Sequence, residues 1–146
     1  RGLCAVLLGD DDAALLTDLQ RRFRNAELSP GGREFTRAVQ QVLAVVDGRG
    51  SDPGLPFDLR GTAFQQQVWQ ELRSVPSGTT VHYAELARRI GRPSAVRAVA
   101  RAIADNPLAV LVPCHRVLGK DGSLRGYRWG PERKRRLLDR EVPGAG

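Results

Sequence analysis

The sequence predicts an α/β (α+β) chain with a small amino-terminal sheet-plus-helix subdomain over residues 1–54 and a mostly helical domain over 55–146. Three observations predict it. An apolar run opens the chain and gives way to two stretches of helical periodicity. A Gly/Pro/Ser-rich segment at 48–54 then interrupts the pattern, and the charge balance changes sign just after it. Beyond that, a helix, a short glycine turn and a second helix follow one another over 81–105, the helix-turn-helix layout.

Gly2–Leu8 reads as a buried strand, which makes Cys4 a core residue, and Gly9-Asp10-Asp11-Asp12 reads as a turn that caps the next helix. That helix is predicted over Ala13–Phe23, with Leu15, Leu16, Leu19 and Phe23 on one side. Ser29-Pro30-Gly31-Gly32 breaks it. Phe35, Val39, Val42, Leu43 and Val46 then recur at helical spacing.

In the second half, Thr62-Ala63-Phe64-Gln65 has the capping-box pattern and leads a helix whose Phe64, Val68, Trp69, Leu72 and Val75 share a face. Val81–Ile90 and Ala95–Asp105 are the paired helices. In the latter, Val96, Val99, Ala100 and Ile103 face a core, while Ser94, Arg97, Ala98 and Arg101 face away. Small residues and arginines on one face suit close approach to a nucleic-acid backbone, and equally suit an ordinary solvated surface. Asn106-Pro107 ends this helix, because a residue before proline is pushed out of the helical region. Leu108–Val112 reads as an apolar strand, Lys120-Asp121-Gly122-Ser123 as a tight turn, and Pro131 as the first residue of a last helix. On that helix Lys134, Leu137, Leu138 and Glu141 share the inward side. A buried carboxylate calls for a partner, and His115 is a candidate; at a helix end, Glu141 could instead turn into water.

Composition narrows the function classes. The net charge is +7, yet through Arg60 eight arginines face nine acidic residues, whereas from Gly61 fifteen basic residues face seven acidic ones. A basic second half fits a polyanionic partner or a generally arginine-rich surface. Aromatic residues make up 5% of the chain, which favours duplex binding over single-strand stacking. Two distant cysteines, no C-x-x-C pair and two histidines leave too few ligands for a zinc site, and no metal or cofactor is expected. No run approaches the ~20 apolar residues that span a bilayer. Arg1, in a chain without methionine, reads as part of a longer protein.

The chemistry centres on Leu111-Val112-Pro113-Cys114-His115-Arg116-Val117. Free cysteine is often simply core. As a thiolate, however, Cys114 would be a nucleophile, given a base or positive field to lower a pKa of ~8.5. His115 is adjacent, and in an extended segment neighbouring side chains point apart, so a water would have to join them, with Glu141 orienting the imidazole.

These residues resemble the O6-alkylguanine-DNA alkyltransferases, in particular the carboxy-terminal part of the bacterial Ada-type proteins. The matching motifs are Pro113-Cys114-His115-Arg116-Val117, Tyr83-Ala84-Glu85-Leu86-Ala87, Arg97-Ala98-Val99, Asn106 and Gly126-Tyr127-Arg128-Trp129-Gly130. The resemblance implies a truncated ribonuclease H-like first subdomain and a winged helix-turn-helix-like alkyltransferase domain. It implies single-turnover, irreversible transfer of a methyl or other alkyl group from O6 of guanine, and from O4 of thymine, in duplex DNA onto Cys114. His115 would draw the thiol proton through a water with Glu141 behind it, and Asn106 would tie the turn beside the cysteine. The base would be flipped from the duplex by a helix lying in the minor groove. Tyr83 would donate to the departing base, Arg97 would fill the gap it leaves, and Ser94 and Arg101 would meet phosphates. Tyr127 would wall the alkyl pocket, and the backbone at Arg128 would meet O6. A bacterial, cytoplasmic, nucleoid-associated monomer, fused to or cut from a larger Ada-type protein, is the implied setting.

One departure is His82, where many relatives carry Ser or Thr at the start of the helix. The cap there would fall to Thr80 or be weaker. Spacing alone also allows Tyr83 to be an ordinary packed tyrosine. The competing functions are a non-catalytic module that recognises alkylated DNA, and a thiol hydrolase that would release product repeatedly.

Overall fold

The computed structural model describes residues 2–50, 52–124 and 126–142. Arg1 and Ser51, the latter inside the 48–54 stretch, lie outside the described residues. The architecture is mixed and mostly helical. Six α-helices, α1 (Asp12–Arg22), α2 (Arg33–Val46), α3 (Ala63–Arg73), α4 (Tyr83–Arg89), α5 (Val96–Ala104) and α6 (Pro131–Glu141), accompany a two-stranded parallel sheet among the described residues. Its strands, β1 (Val81–His82) and β2 (Val117–Leu118), pair Val81 with Val117 and His82 with Leu118.

Helix boundaries follow local chemistry. Asp11 accepts from the Ala13 N–H to cap α1. Thr62 and Gln65 close both bonds of a capping box on α3, satisfying donors that the first helical turn leaves without partners. Pro131 occupies the first turn of α6, where its missing N–H costs nothing. His82 stands at the N-cap of α4 without a side-chain cap bond, so the weaker-cap expectation holds there.

The core is built where α3, α4 and α5 meet. Val68, Leu72, Leu86, Ala87, Val99 and Ile103 are buried there, and Trp69 Nε1 donates to the Ala102 carbonyl at 2.8 Å, tying α3 to α5. Val42 and Val45 of α2 join the same cluster. Phe35, Val39 and Leu43 of that helix are exposed.

Two strand expectations are corrected. Gly2–Leu8 is not a buried strand: it makes single parallel bridges, Leu3 to Phe57 and Val6 to Leu108, and its residues are half-buried or exposed. A ladder needs a neighbour running alongside, and each of these neighbours touches the segment at one residue. Cys4, expected in the core, is exposed. Leu108–Val112 is not a strand either, because after Leu108 the chain curls. The Val112 N–H donates to the Leu108 carbonyl at 3.1 Å, and Val110 has φ +68°, a left-handed conformation that is uncommon and costly for a β-branched residue. The curl delivers Cys114 onto a 3₁₀ turn, Cys114–Arg116.

Candidate active site

Cys114 is 3% exposed and His115 and Asn106 are fully buried. Asn106, released from α5 just before Pro107, uses its whole amide to shape the curl. Its Nδ2 donates to the carbonyls of Leu108 at 3.2 Å and Val112 at 3.0 Å, and its Oδ1 accepts from the Leu108 N–H at 2.9 Å. The same Nδ2 lies 3.3 Å from Cys114 Sγ, so the residue that folds the turn also donates to the sulfur. Val6 holds the turn from the other side, donating to the Pro107 carbonyl and accepting from the Ala109 N–H.

The sequence expectation for Glu141 holds in its inward form. Its Oε1 lies 2.8 Å from His115 Nε2. A carboxylate only accepts, so Nε2 carries the proton and Nδ1 is the basic nitrogen. Nδ1 is buried with no hydrogen-bond partner among the described residues. No hydrogen bond joins His115 to Cys114; the expected separation is present, but the 3₁₀ turn, rather than an extended backbone, accounts for it.

The sequence reading assigned Arg116 no role. Its Nε and Nη2 bond Glu141 at 2.7–3.1 Å, and its Nη1 donates to the Val75 carbonyl at 2.7 Å. The signal available was a cation next to a histidine whose carboxylate partner had still to be neutralised. Burial alone would raise the Glu141 carboxyl, but hydrogen bonds and charge from His115 and Arg116 outweigh it and push the value down to about 2. Burial lowers the His115 value, opposed by the bond to Glu141. Burial also pushes the Cys114 thiol up to about 11, against the Asn106 bond and the positive charge of Lys134.

Two tyrosines border the cysteine. Tyr83, half-buried at the start of α4, has its hydroxyl against Gly126, where an added Cβ would lie 3.3 Å from it. Gly126 also has φ +87°, so the close approach and the backbone both favour glycine. Tyr127 is buried, edge-on to Trp129 at 5.5 Å between ring centroids, and its hydroxyl has no hydrogen-bond partner among the described residues. Burial first, then the charge of Cys114, raise both phenols, which keeps them protonated as donors.

The remaining predicted residues lie elsewhere. Arg97, Arg101 and Ser94 are exposed. Arg97 and Arg101 border a depression of about 510 Å³ between α5 and the start of α3. Helix α5 begins at Val96 with Ala95 as its N-cap, so Ser94 precedes it rather than capping it. The Arg128 guanidinium pairs with Asp18 of α1 at 3.1 Å. Lys134, noted in the sequence only as an inward position, is fully buried. No group of three or more His, Cys, Asp or Glu that could hold a metal occurs among the described residues, and no helix among them is long and apolar enough to cross a membrane.

Comparison with known proteins is consistent with this geometry. The family model for the DNA-binding domain of 6-O-methylguanine DNA methyltransferase matches residues 63–143. The chain is 55% identical over 142 residues to the bifunctional transcriptional activator/DNA repair enzyme Ada of Escherichia coli K12, covering 97% of this chain and 40% of that one. It is 47% identical over 113 residues to the methylated-DNA–protein-cysteine methyltransferase of Mycobacterium bovis, covering 77% of this chain and 68% of that one. A crystal structure of Mycobacterium tuberculosis OGT in complex with DNA superposes with a TM-score of 0.69 at 46% identity, over 76% of this chain and 71% of that one. The chain spans 40% of the length of the Ada relatives it matches. With the family model covering more than half of its residues, the chain belongs to the 6-O-methylguanine DNA methyltransferase family.

Proposed function

We propose that this chain repairs alkylated duplex DNA by moving a methyl or other alkyl group from O6 of guanine, and from O4 of thymine, onto Cys114. Transfer is direct and irreversible, so one molecule repairs one lesion. The observation that carries the proposal is the bond between buried His115 and half-buried Glu141, next to a buried cysteine, the nucleophile, base and orienter pattern. The thiol proton passes through a water to His115 Nδ1, and Glu141, held by Arg116, stabilises the imidazolium that forms. Sγ attacks the alkyl carbon in line with the carbon–oxygen bond. The sulfur–carbon bond forms, the carbon–oxygen bond breaks, and the electron pair leaves on the base, which takes up a proton. The Tyr83 hydroxyl donates to that base as its charge grows, and Tyr127 walls the alkyl group.

The reacting atom of a paired guanine is inside the duplex, so the nucleotide is rotated out to reach a buried sulfur. The exposed face of α5 serves this step in the minor groove: Arg97 fills the gap in the stack, Arg101 and Ser94 meet phosphates, and the Arg128 backbone meets O6. The two-unit division at 1–54 and 55–146, with a truncated ribonuclease H-like first unit, belongs to this reading. So do a monomeric state, a place near the bacterial nucleoid, and membership of a larger Ada-type protein.

The test is a mass spectrum after incubation with duplex DNA containing O6-methylguanine. One methyl group per chain is expected, mapped to the Cys114 peptide and lost in Cys114→Ala. Label on Cys4, or repeated turnover, refutes the assignment, and tight binding without transfer supports a recognition module instead.

A further inference from the structure

Lys134 has no task in the mechanism above, and its surroundings are costly for a lysine. It sits one turn into α6 on the same side as Leu137 and Glu141, fully buried. Among the described residues its Nζ has no hydrogen-bond partner, and it lies 5.9 Å from the centroid of the Tyr127 ring. A buried ammonium without a partner is strongly disfavoured, so a fold that keeps one requires a compensating anion. Among the described residues no carboxylate pairs with Lys134, because Glu141 is committed to His115 and Arg116.

The groups around this position come from every element packed there. Cys114 and His115 lie on the 3₁₀ turn, Asn106 at the end of α5, Tyr83 on α4, Tyr127 on the loop before α6, and Arg133 next to Lys134 itself. Arg116 and His115 are both bonded to Glu141. Of these, Glu141 is already paired and burial raises the phenols, whereas the Cys114 sulfur is the group that gives up its proton in the reaction and so becomes an anion. Burial raises the Cys114 thiol and lowers the Lys134 ammonium, and the charge of each opposes that shift in the other, the ammonium favouring thiolate and the thiolate favouring ammonium.

We infer that Lys134 is the charge partner of the Cys114 thiolate formed in the reaction, a positioning residue whose buried ammonium stabilises the sulfur's negative charge from the moment the thiol proton leaves until alkylation removes it. The inference rests on Cys114 being the acceptor. Lys134 gives up no proton in the step: the thiol proton leaves by way of His115, and the base takes up its own as the carbon–oxygen bond breaks. The product thioether is neutral.

The experiment uses a Cys4→Ser background, so that ultraviolet absorbance against pH reports one thiolate. Lys134→Met is expected to move the Cys114 midpoint up by about one unit or more, while melting no lower than its parent because a buried charge has been removed. An unchanged or lower midpoint overturns the inference. Lys134→Gln, with a polar head, provides the same reading should the methionine variant not fold. Transfer from O6-methylguanine duplex DNA is expected to slow at least about tenfold at neutral pH in the variant, and to return toward the parent rate above the variant's own midpoint. An equal loss at every pH marks a merely structural role and overturns it too. Absence of transfer in the parent at all pH values refutes the functional proposal instead, and the thiolate titration still decides the role of Lys134.

Discussion

Replacing Asn106 with alanine removes four hydrogen bonds at a fully buried position, but their losses are unequal. The Leu108 carbonyl keeps the Val112 N–H, and the Val112 carbonyl keeps the Cys114 N–H at 2.7 Å. The Leu108 N–H is left with no other acceptor. An orphaned buried donor costs about 1–3 kcal/mol, and bonds to acceptors that retain a second donor cost at most about 1 kcal/mol each. With a small cavity added, the expected loss is about 3 kcal/mol, a large share of the 5–15 kcal/mol typical of a domain. Urea unfolding should show a lower midpoint with an unchanged slope. Asn106→Asp still accepts from Leu108 but turns a carboxylate oxygen toward the Leu108 and Val112 carbonyls and Sγ. With a charge buried among acceptors, it should lose at least as much stability as the alanine variant, and lose transfer rate as well. A loss below about 1 kcal/mol for Asn106→Ala would falsify the view that this side chain holds the turn.

Three further outcomes are expected. Glu141, with its carboxyl pushed down to about 2, contributes stability that is fully present above the unfolded carboxylate value of about 4.3 and is lost as pH falls through the folded value. Glu141→Gln should therefore flatten the acid limb of a stability–pH curve between about pH 5 and 2, at a cost of about 2 kcal/mol at neutral pH; an unchanged acid limb counts against the pairing. Arg97→Ala should slow repair of duplex lesions at least about tenfold more than reaction with the free modified base, because only the duplex must be held open; equal slowing in the two assays removes its gap-filling role. Thr62→Ala removes the bond from the Gln65 N–H to the Thr62 hydroxyl, one of the two in the capping box on α3, and should cost about 1 kcal/mol in thermal or urea unfolding, with a neutral result refuting the cap's contribution.

What could be read from the sequence alone was local. Helical periodicity sorts residues by face within one element, so Val99 and Ile103 point inward and Arg97 and Arg101 outward without any knowledge of what lies opposite. Caps and breakers act within a few residues, which is why the Thr62 box, Pro131 and the Asn106-Pro107 stop are all present as expected. The cysteine motif identified the family for the same reason: it is a contiguous string. The apolar runs at 2–8 and 108–112 misled because strand formation depends on a partner segment, and the runs carry no information about whether one is alongside. Cys4 fell with the first of them.

Tertiary structure alone decided what each site residue does with its neighbours. The His115–Glu141 bond joins residues 26 apart; helical spacing offered Glu141 an inward face, and packing chose its partner. Packing also brought Arg116 onto the same carboxylate, curled the chain at Val110 under the Asn106 amide, and buried Lys134 beside the sulfur. Each of these sets a charge or a strained backbone against compensation from another element, and that balance exists only once the elements are packed. Periodicity along the chain placed Arg97, Lys134 and Glu141 on their helices and gave the side each faces, because that depends on spacing within one element; the packed fold settled where Cys114 and His115 sit and which groups share a proton, a charge or a hydrogen bond.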